Sequence, residues 1–370
     1  MSKKMIKKKT IAFAIHSLTP GGAERVLTTL ANALVTHYNV KIITLVNCES
    51  FYSLNTNIEL LSCGSIVSEK KSIFGAFKNH IDTVKALSGF IKTYKLDLVI
   101  GFTSSVNVLS IFATKLNNIP LIISERNNPE LNPPVTIWKI LRNFFYKYSD
   151  YLVVQTSANK QYFHKIMPKE KIVIIENPIS PILAEKRIQP INYSKNQIIL
   201  SVGRLDKNKA QDLLLKAFTN IPNHNWELIL VGDGEKRQDY EALIKQLNIA
   251  DKAHVLGNKI NIYDYYNNAC IFVFTSKSEG FPNALAEALY FGVPSISTDC
   301  PHGPSDLIEH NKNGILIDVD DQIMLEKHLK MLMNNDDIRK TLSRASIEST
   351  KKLSVEKVTN QWIKYFNKLI

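Results

Sequence analysis

Short apolar runs alternate with longer amphipathic stretches along almost the whole chain. The apolar runs lie at residues 11–15, 41–46, 97–101, 121–124, 151–154, 198–202, 228–231, 253–256, 271–275 and 294–298. Runs of this length are typical of strands that are buried on both faces of a sheet. Because helical segments separate them, the pattern predicts parallel sheets of the doubly wound α/β class.

The two halves of the chain begin in the same way. A predicted strand at 11–15 leads through a glycine turn into a helix over 25–34, and a predicted strand at 198–202 leads through a polar loop into a helix over 211–218. This repetition predicts two Rossmann-like domains that face a cleft, with ligands bound at the carboxyl ends of the strands. Prolines and lost periodicity at 177–194 mark a linker, so we expect domains over 1–180 and 195–354.

Composition narrows the class of protein. Hydrophobic residues make up 45% of the chain and charged residues 22%, which is typical of a globular protein. No apolar run approaches the ~20 residues that a membrane span needs. The four cysteines form no Cys-x-x-Cys pair, and a reduced, cytoplasmic protein is expected.

The net charge of +12 is concentrated in the first half of the chain. Residues 1–180 contain 22 Lys and Arg against 11 Asp and Glu, whereas residues 181–370 contain 24 against 23, so the halves carry +11 and +1. The first half is therefore expected to face an anionic partner: a phospholipid surface, a lipid pyrophosphate or a nucleic acid. A lysine-rich proteome would explain the total charge but not its uneven placement.

The segment 278–287 (SEGFPNALAE) indicates the chemistry of the second half. Glu279 falls in the turn after a predicted strand, and Glu287 falls in the first turns of a helix predicted from Ala284. Backbone N–H groups at such a helix N-terminus bind phosphate, while carboxylates bind hydroxyl groups. A sugar diphosphate fits this arrangement, although two glutamates at this spacing also fit a solvated turn and an exposed helix face.

Several segments in a fixed order make the sequence resemble glycosyltransferase family 4. They are 21–25 (GGAER), 203–209 (GRLDKNK), 231–235 (VGDGE), 255–257 (VLG), 278–283 (SEGFPN) and 313–316 (NGIL). The resemblance implies a GT-B fold, retention of anomeric configuration, and a last helix near 355–370 that packs back on the N-terminal domain. It also implies that the N-terminal domain binds the acceptor and the C-terminal domain binds the nucleotide-sugar.

The resemblance also assigns roles to residues of the second half. Arg204 and Lys209 would hold the donor phosphates, a role that two cations at a strand end can fill without a metal. Glu279 would contact the donor sugar and Glu287 the ribose. Ala210 stands where family members often have glycine, which we expect only to tighten the local packing. The other expected donor-binding residues are Gly22, Gly203, Gly232, Asp233, Leu256, Gly257, Gly280, Phe281, Pro282, Asn283, Ala284 and Leu285.

Candidate acceptor-binding residues lie in the first half. Gly21 precedes a helix that we expect to begin at Ala23 or Glu24, and the glycine backbone there can approach a phosphate closely. Glu125, Arg126 and Asn127 follow a predicted strand, in a segment that should open into the cleft. Arg126 stands where many relatives have histidine; it could bind an acceptor phosphate or form an ion pair with Glu125 or Glu130.

No metal or other cofactor is predicted. The pair Asp318 and Asp320 has the Asp-x-Asp spacing of metal-dependent sugar transferases. However, a helical stretch over 322–332 follows it, so Asp320 or Asp321 is expected to be the N-cap of that helix.

A predicted helix over 70–94 carries a ladder of lysines. Lys71, Lys78, Lys85 and Lys92 recur at every seventh residue, which spans roughly 30 Å. Beside them Phe74, Phe77, Ile81, Val84 and Ile91 form an apolar stripe, so the helix fits an anionic membrane or a lipid pyrophosphate, or else a core helix with solvated lysines. The aromatic and cationic segment 137–147 is a second candidate for membrane contact.

The sequence thus predicts a glycosyltransferase that moves a sugar from a UDP-linked donor, N-acetylgalactosamine as the first choice, to a lipid-linked acceptor. Within the family it most resembles bacterial transferases that extend undecaprenyl-pyrophosphate glycans for O-antigen, capsule or protein glycosylation. This resemblance implies a peripheral protein on the cytoplasmic face of the inner membrane. The alternatives are a GDP-sugar donor, an enzyme similar to UDP-N-acetylglucosamine 2-epimerase, and a non-enzymatic protein that binds anionic lipid or nucleic acid. A dinucleotide oxidoreductase is not indicated, because no Gly-x-Gly-x-x-Gly follows a predicted strand.

Overall fold

The chain forms two compact units. The computed structural model describes residues 8–65, 73–130, 133–188, 197–222 and 225–370, and of residues 73–76 it describes the backbone alone. One unit comprises Met1–Ser180 with Val355–Ile370, and the other comprises Pro181–Ser354. Each unit holds one β-sheet, and we describe each by itself.

The strands of the described residues are short. They are β1 Thr10–Ile15, β2 Asn39–Thr44, β3 Glu59–Ser62, β4 Leu98–Phe102, β5 Leu121–Ser124, β6 Tyr151–Val154, β7 Ile172–Ile174, β8 Ile198–Val202, β9 Glu227–Val231, β10 Ala253–Val255, β11 Ile271–Phe274, β12 Ser295–Thr298 and β13 Ile315–Ile317.

The helices separate consecutive strands in most places. They are α1 Gly22–Leu34, α2 Ile73–Thr93, α3 Ser104–Lys115, α4 Thr136–Phe145, α5 Ser157–Phe163, α6 Pro181–Lys186, α7 Gln211–Thr219, α8 Arg237–Gln246, α9 Ile262–Asn268, α10 Asn283–Tyr290, α11 Pro304–Leu307, α12 Gln322–Asn334, α13 Asp336–Thr350 and α14 Val355–Phe366. Short 3₁₀ turns lie at Tyr146–Tyr148, Lys169–Lys171 and Lys351–Leu353.

Both sheets are parallel and doubly wound. The first has the strand order β3-β2-β1-β4-β5-β6-β7 and the second has the order β10-β9-β8-β11-β12-β13. In each sheet the chain moves outward from its first strand and then crosses to the other side of it, so the strand order reverses beside β1 and beside β8. Ligands bind at such a reversal in open α/β sheets. The predicted class, α/β with two Rossmann-like sheets, is confirmed.

Apolar side chains cover both faces of the first sheet. The central strand β4 is buried at every position, which explains its uninterrupted apolar sequence. On one face α1 and α14 pack over the sheet, where the ring of Trp362 lies parallel to that of Phe102 at a centroid distance of 6.3 Å. On the other face α2, α3 and α5 cover a cluster that includes the buried Tyr146 and Phe163.

The N-cap of α12 gives a matched pair of variants. Asp321 Oδ1 accepts a hydrogen bond from Met324 N at 2.9 Å, so Asp321 is the cap. Asp320 has a φ of 62° and forms an exposed ion pair with Lys277. Replacing Asp321 by alanine should lower the free energy of unfolding by about 1 kcal/mol.

Asp320→Asn is the control, because asparagine tolerates the left-handed backbone and exposed ion pairs contribute little. Urea denaturation of the two variants measures the difference, and equal losses of stability would exclude this assignment of the cap.

Candidate active site

Three glycines meet at the carboxyl end of the second sheet. Gly203 follows β8, Gly232 follows β9 and Gly257 follows β10; Gly232 N donates a hydrogen bond to Gly257 O at 3.0 Å. Gly232 has a φ of 145°, and a Cβ atom placed on it would lie 1.9 Å from Gly203 O. The structure therefore brings these three predicted donor-binding residues together in a contact that excludes any side chain at Gly232.

Asp206 organises the loop that carries the two predicted phosphate-binding cations. Its Oδ1 accepts a hydrogen bond from Lys209 N at 2.9 Å, and its Oδ2 lies 2.5 Å from Arg204 Nε. Asp206 is buried, whereas the Arg204 side chain is 73% exposed and open to a ligand. Sequence reasoning gave Asp206 no role, although an aspartate three residues before a backbone N–H that needs a partner is a usual turn signal.

The two main donor motifs are adjacent in space. Lys277 N donates to Asn208 O at 2.7 Å, Asn208 Nδ2 donates to Ser278 O at 2.7 Å, and Thr275 Oγ1 donates to Lys209 O at 2.8 Å. The loop over 203–209 and the loop after β11 are thus bonded to each other through main-chain groups. This is a rigid support for the charged side chains that project from both loops.

Lys209 and Glu279 form an ion pair between these loops. Lys209 Nζ lies 2.6 Å from Glu279 Oε1, and the side chains are only 18% and 10% exposed. The ammonium also lies 4.9 Å from the centroid of the Phe274 ring. Two residues that were assigned to different parts of the donor therefore hold each other in place, in an environment where charge interactions are stronger than in water.

A buried cysteine lies beside this ion pair. The pKa of the Cys300 thiol is raised to about 12, chiefly by burial and also by the Glu279 carboxylate, while Lys209 lowers it. The thiol is therefore protonated at neutral pH, and a protonated thiol is a poor nucleophile.

Helix α10 begins at Asn283, one residue before the predicted Ala284. Its N-cap is Pro282, whose side chain accepts no hydrogen bond, so the first-turn N–H groups are suited to an anion. Glu287 on this helix is buried and accepts a hydrogen bond from Tyr266 Oη at 3.0 Å. Nothing in the sequence around Tyr266 marks it as the residue that orients Glu287.

Two residues near the glycines were not predicted correctly. The effect of Ala210 was misjudged, and Arg237 was given no role. Ala210 has a φ of 49°, so alanine at this glycine position strains the backbone rather than tightening the packing. Arg237 forms ion pairs with Asp233 at 3.1 Å and Glu241 at 3.0 Å, and its Nη1 lies 3.1 Å from the position of a Cβ on Gly257. It is thus a cation beside the predicted donor-binding residue Gly257.

In the first unit, α1 begins at Gly22 and not at the predicted Ala23 or Glu24. Gly21 is its N-cap residue, and Tyr52 Oη donates a hydrogen bond to Gly21 O at 3.0 Å. The glycine backbone therefore leads directly into the first turn of the helix.

Glu125 and Arg126 directly follow β5, and their side chains lie on opposite sides of the first sheet, at Tyr146 and at Phe102. Glu125 accepts hydrogen bonds from Tyr146 Oη and from Ser104 Oγ, the latter at 2.7 Å. Arg126 lies on the α14 face, where its Cζ is 4.6 Å from the Phe102 ring centroid. Asn127 is exposed.

Both buried groups have shifted acidity. Burial raises the pKa of the Glu125 carboxyl, against hydrogen bonds from Tyr146 and Ser104 that lower it. Burial lowers the pKa of Arg126 to about 9. Arg126 Nη1 donates to Asn177 Oδ1 at 2.7 Å, so the alternative ion pair with Glu125 or Glu130 is wrong, and among the described residues Nε and Nη2 have no partner.

A small cavity of about 160 Å³ lies beside Glu125 and Asn127 at the carboxyl ends of β4 and β5. Trp138 and Arg142 also line it. These residues combine a carboxylate, an amide, a guanidinium and an aromatic ring, which are groups that bind sugars or phosphates. Trp138 and Arg142 were not singled out from the sequence as part of a site.

The lysine ladder is exposed where the structure describes it. Lys78, Lys85 and Lys92 face solvent, and Lys71 lies outside the described residues. Of the predicted apolar stripe, Phe77 is 66% and Ile81 40% exposed, so this part of α2 is not buried as a core helix would be. The buried residues of α2 are Thr83, Leu87 and Ile91, each four residues after the last, and the stripe residue Val84 also packs against the core.

Within the ranges that the structure describes, no three His, Cys, Asp or Glu side chains form a group suited to a metal ion. In the same ranges no helix is long and apolar enough to cross a membrane.

Two families match adjoining parts of the chain. Residues 20–182 match the family described as Glycosyltransferase Family 4, and residues 184–349 match Glycosyl transferases group 1. A Campylobacter jejuni protein is 32% identical over 96% of this chain and 97% of its own length. It is named GalNAc-α-(1→4)-GalNAc-α-(1→3)-diNAcBac-PP-undecaprenol α-1,4-N-acetyl-D-galactosaminyltransferase.

Solved structures share the fold. A glycosyltransferase from Rickettsia africae superposes with a TM-score of 0.81 at 19% identity and covers 98% of this chain and 99% of its own. An Anabaena protein in complex with UDP and glucose has a TM-score of 0.76 at 20% identity and covers 96% and 99%. These structures confirm the predicted GT-B class, and with the family matches they lead to one conclusion. The chain belongs to the group 1 glycosyltransferases of family 4.

Proposed function

We propose that this glycosyltransferase moves a hexose or an N-acetylhexosamine, with N-acetylgalactosamine as the first choice, from a UDP-sugar to a lipid-linked glycan with retention of configuration. The observation that carries the proposal is the Lys209–Glu279 ion pair, which is fixed between the two bonded loops that carry the donor motifs. A cation and a carboxylate side by side suit the two halves of a sugar diphosphate.

In this proposal the leaving diphosphate is stabilised by preorganised charge. Lys209 and the exposed Arg204 would neutralise the phosphate oxygens, and the N–H groups of the first turn of α10 would donate to them. Glu279 would accept from a sugar hydroxyl and Glu287 from the ribose. No protein nucleophile is assigned, since the Cys300 thiol stays protonated; departure of the diphosphate and attack by the acceptor would take place on the same face of the sugar.

The choice of donor and acceptor draws on similar proteins. The Campylobacter jejuni relative is named as an N-acetylgalactosaminyltransferase that acts on an undecaprenol-linked glycan, and the Anabaena protein binds UDP. The acceptor-binding half would be the first unit, with Glu125, Asn127 and the cavity beside them receiving the acceptor sugar, and Gly21 and Arg126 receiving its phosphate. The products would be precursors of O-antigen, capsule or glycoprotein glycans, made at the cytoplasmic face of the inner membrane.

A thermal-shift series with UDP-, GDP- and ADP-sugars tests the donor. UDP-N-acetylgalactosamine should raise the unfolding temperature most, because stabilisation grows with the ratio of ligand concentration to Kd and the proposed donor should have the lowest Kd. At 100 times its Kd a ligand stabilises a protein by about 2.7 kcal/mol. The shift should survive EDTA, since the proposed contacts use no metal, and should disappear in Lys209→Ala. A larger shift with a GDP- or ADP-sugar, or a shift that EDTA removes and Mn²⁺ restores, would contradict the proposal.

A further inference from the structure

Helix α4 exposes one row of apolar side chains and buries one of its two charged residues, Arg142. Ile137, Ile140 and Phe144 are 56%, 58% and 57% exposed, although their spacing of three and four residues forms a single apolar stripe. Arg142 is 1% exposed and is the buried residue of the helix. Trp138, Leu141 and Phe145 of the same helix pack against the core, so the exposed row is a second apolar row that this packing does not cover.

The orientation of α4 is fixed by contacts beneath it. Arg142 Nη2 donates a hydrogen bond to Tyr162 Oη at 3.0 Å, and its Cζ lies 5.3 Å from the centroid of the Phe163 ring. On the same inner side, the Trp138 ring packs edge-on against His80 of α2 at 4.9 Å. Rotating the helix to bury the stripe would break these contacts, so the stripe is held outward.

Neighbouring helices extend the apolar surface. Helix α3 packs between α2 and α4, and the ring of its exposed Phe112 lies 4.7 Å from that of Phe145. We call the whole surface the apolar face; it consists of Phe77, Ile81, Phe112, Leu116, Val135, Ile137, Ile140, Phe144 and Tyr148, all exposed. Exposed apolar surfaces of this kind mark sites of interaction with a protein or a membrane.

The charges around the apolar face select between these partners. The exposed charged residues of α2, α3 and the segment 133–148 are Lys78, Lys85, Lys92, Lys115, Lys139 and Lys147 against the single Asp82. Lys147 Nζ lies 5.0 Å from the Phe144 ring centroid, so cation and apolar group share one surface. Apolar side chains surrounded by cations with almost no carboxylates complement an anionic bilayer.

We propose that α4 is a membrane-docking helix that lies in the plane of an anionic bilayer surface and inserts Ile137, Ile140 and Phe144 among the acyl chains. The lysines of α2, α3 and α4 contact the lipid headgroups around it. The inference deepens the proposed function, on which it rests for its biological reason, since a lipid-linked acceptor requires the enzyme to reach the bilayer. Docking itself needs neither donor nor acceptor.

Sedimentation with vesicles of phosphatidylglycerol and phosphatidylethanolamine tests the proposal on the full chain without substrates. The triple variant Ile137→Ser/Ile140→Ser/Phe144→Ser should bind about 100-fold more weakly than wild type, because three half-exposed side chains lose their burial in lipid. The matched control is Ile260→Ser/Ile323→Ser, which removes two exposed apolar residues of the other unit, 99% and 78% exposed, and should bind like wild type.

The salt dependence of vesicle binding distinguishes insertion of apolar side chains from attraction between charges. Lys78→Gln/Lys85→Gln/Lys92→Gln should lose about 100-fold in affinity at low salt, at about 1 kcal/mol for each lysine, and high salt should reproduce that loss in wild type without abolishing binding. The proposal is overturned if wild type does not bind the vesicles, or if the serine triple variant binds like the control. It is also overturned if the apolar face instead holds two copies of the chain together, seen as a wild-type dimer that the serine variant converts to a monomer.

Failure of docking and failure of the proposed function can be told apart. The serine substitutions lie in the first unit and should leave the thermal shift with UDP-N-acetylgalactosamine unchanged. A normal shift without vesicle binding would therefore reject the docking helix alone.

Discussion

Replacing Lys209 by alanine is expected to lower turnover by about 100-fold or more, the usual cost of losing one preorganised contact to a developing negative charge. The substitution should also disturb Glu279, because Lys209 forms the 2.6 Å ion pair that holds the Glu279 carboxylate in place. Glu279→Ala should cost a similar factor. Steady-state release of UDP from the donor measures both variants.

The control for this prediction is Lys207→Ala, which removes an exposed lysine from the same loop and should retain wild-type turnover. Because Lys209 and Glu279 act as a unit, the double variant should lose much less than the product of the two single losses. The unfolding temperature of each variant, measured without donor, shows whether a loss of folded protein contributes. Wild-type turnover in Lys209→Ala or in Glu279→Ala would contradict the assigned roles.

Replacing Gly232 by alanine is expected to be among the most damaging single-methyl changes in the second unit. The added Cβ would lie 1.9 Å from Gly203 O, and the φ of 145° is one that side-chain-bearing residues rarely adopt. The backbone must therefore move, which separates Gly232 from Gly203 and from Gly257, the other two glycines predicted to bind the donor. We expect a loss of about 3 kcal/mol or more in the free energy of unfolding and a loss of donor binding.

Gly89→Ala is the matched control. Gly89 lies inside α2, and a Cβ placed there meets nothing within 4 Å, so alanine should stabilise the protein by about 0.5–1 kcal/mol. Urea denaturation of both variants, followed by the thermal shift with UDP-N-acetylgalactosamine, measures the contrast. A Gly232→Ala protein as stable as wild type would show that the glycine contact is not needed.

The central strands could be predicted from the sequence because they are buried on both faces. The apolar runs at 121–124, 151–154 and 198–202 coincide with β5, β6 and β8. The strands that the pattern missed, β3, β7 and β13, all lie at sheet edges and have three or four residues. The apolar β7 and β13 have only three residues, too few for a pattern to separate a strand from a loop, and β3 has no fully buried position.

The rotation of a helix about its own axis was harder to predict from the sequence than the position of the helix along the chain. Periodicity correctly indicates a helix near α2 but leaves open which side of it is buried, and 137–147 stood out only as an aromatic and cationic segment. In α4 the contacts of Arg142 with Tyr162 and Phe163 set the rotation, and these residues lie twenty positions further along the chain. Such a contact leaves no local signal.

Within the candidate site, residues that carry a motif could be found and residues that position them could not. Arg204, Lys209 and Glu279 are recognisable because their types and order resemble a family. Asp206 and Tyr266 act by orienting a neighbour through one hydrogen bond each to Lys209 N and to Glu287, and such roles depend on tertiary structure. Their contribution is therefore visible only once the loops are assembled.

The most direct test of the central claim is transfer of radiolabelled N-acetylgalactosamine from its UDP donor to polyprenyl-diphosphate-linked glycans in detergent. We predict that label moves into the solvent-extractable lipid, that an exo-α-N-acetylgalactosaminidase releases it, as retention requires, and that Lys209→Ala lowers the rate by about 100-fold. A β-linked product, or no transfer of label to lipid from any UDP-sugar, would contradict the account.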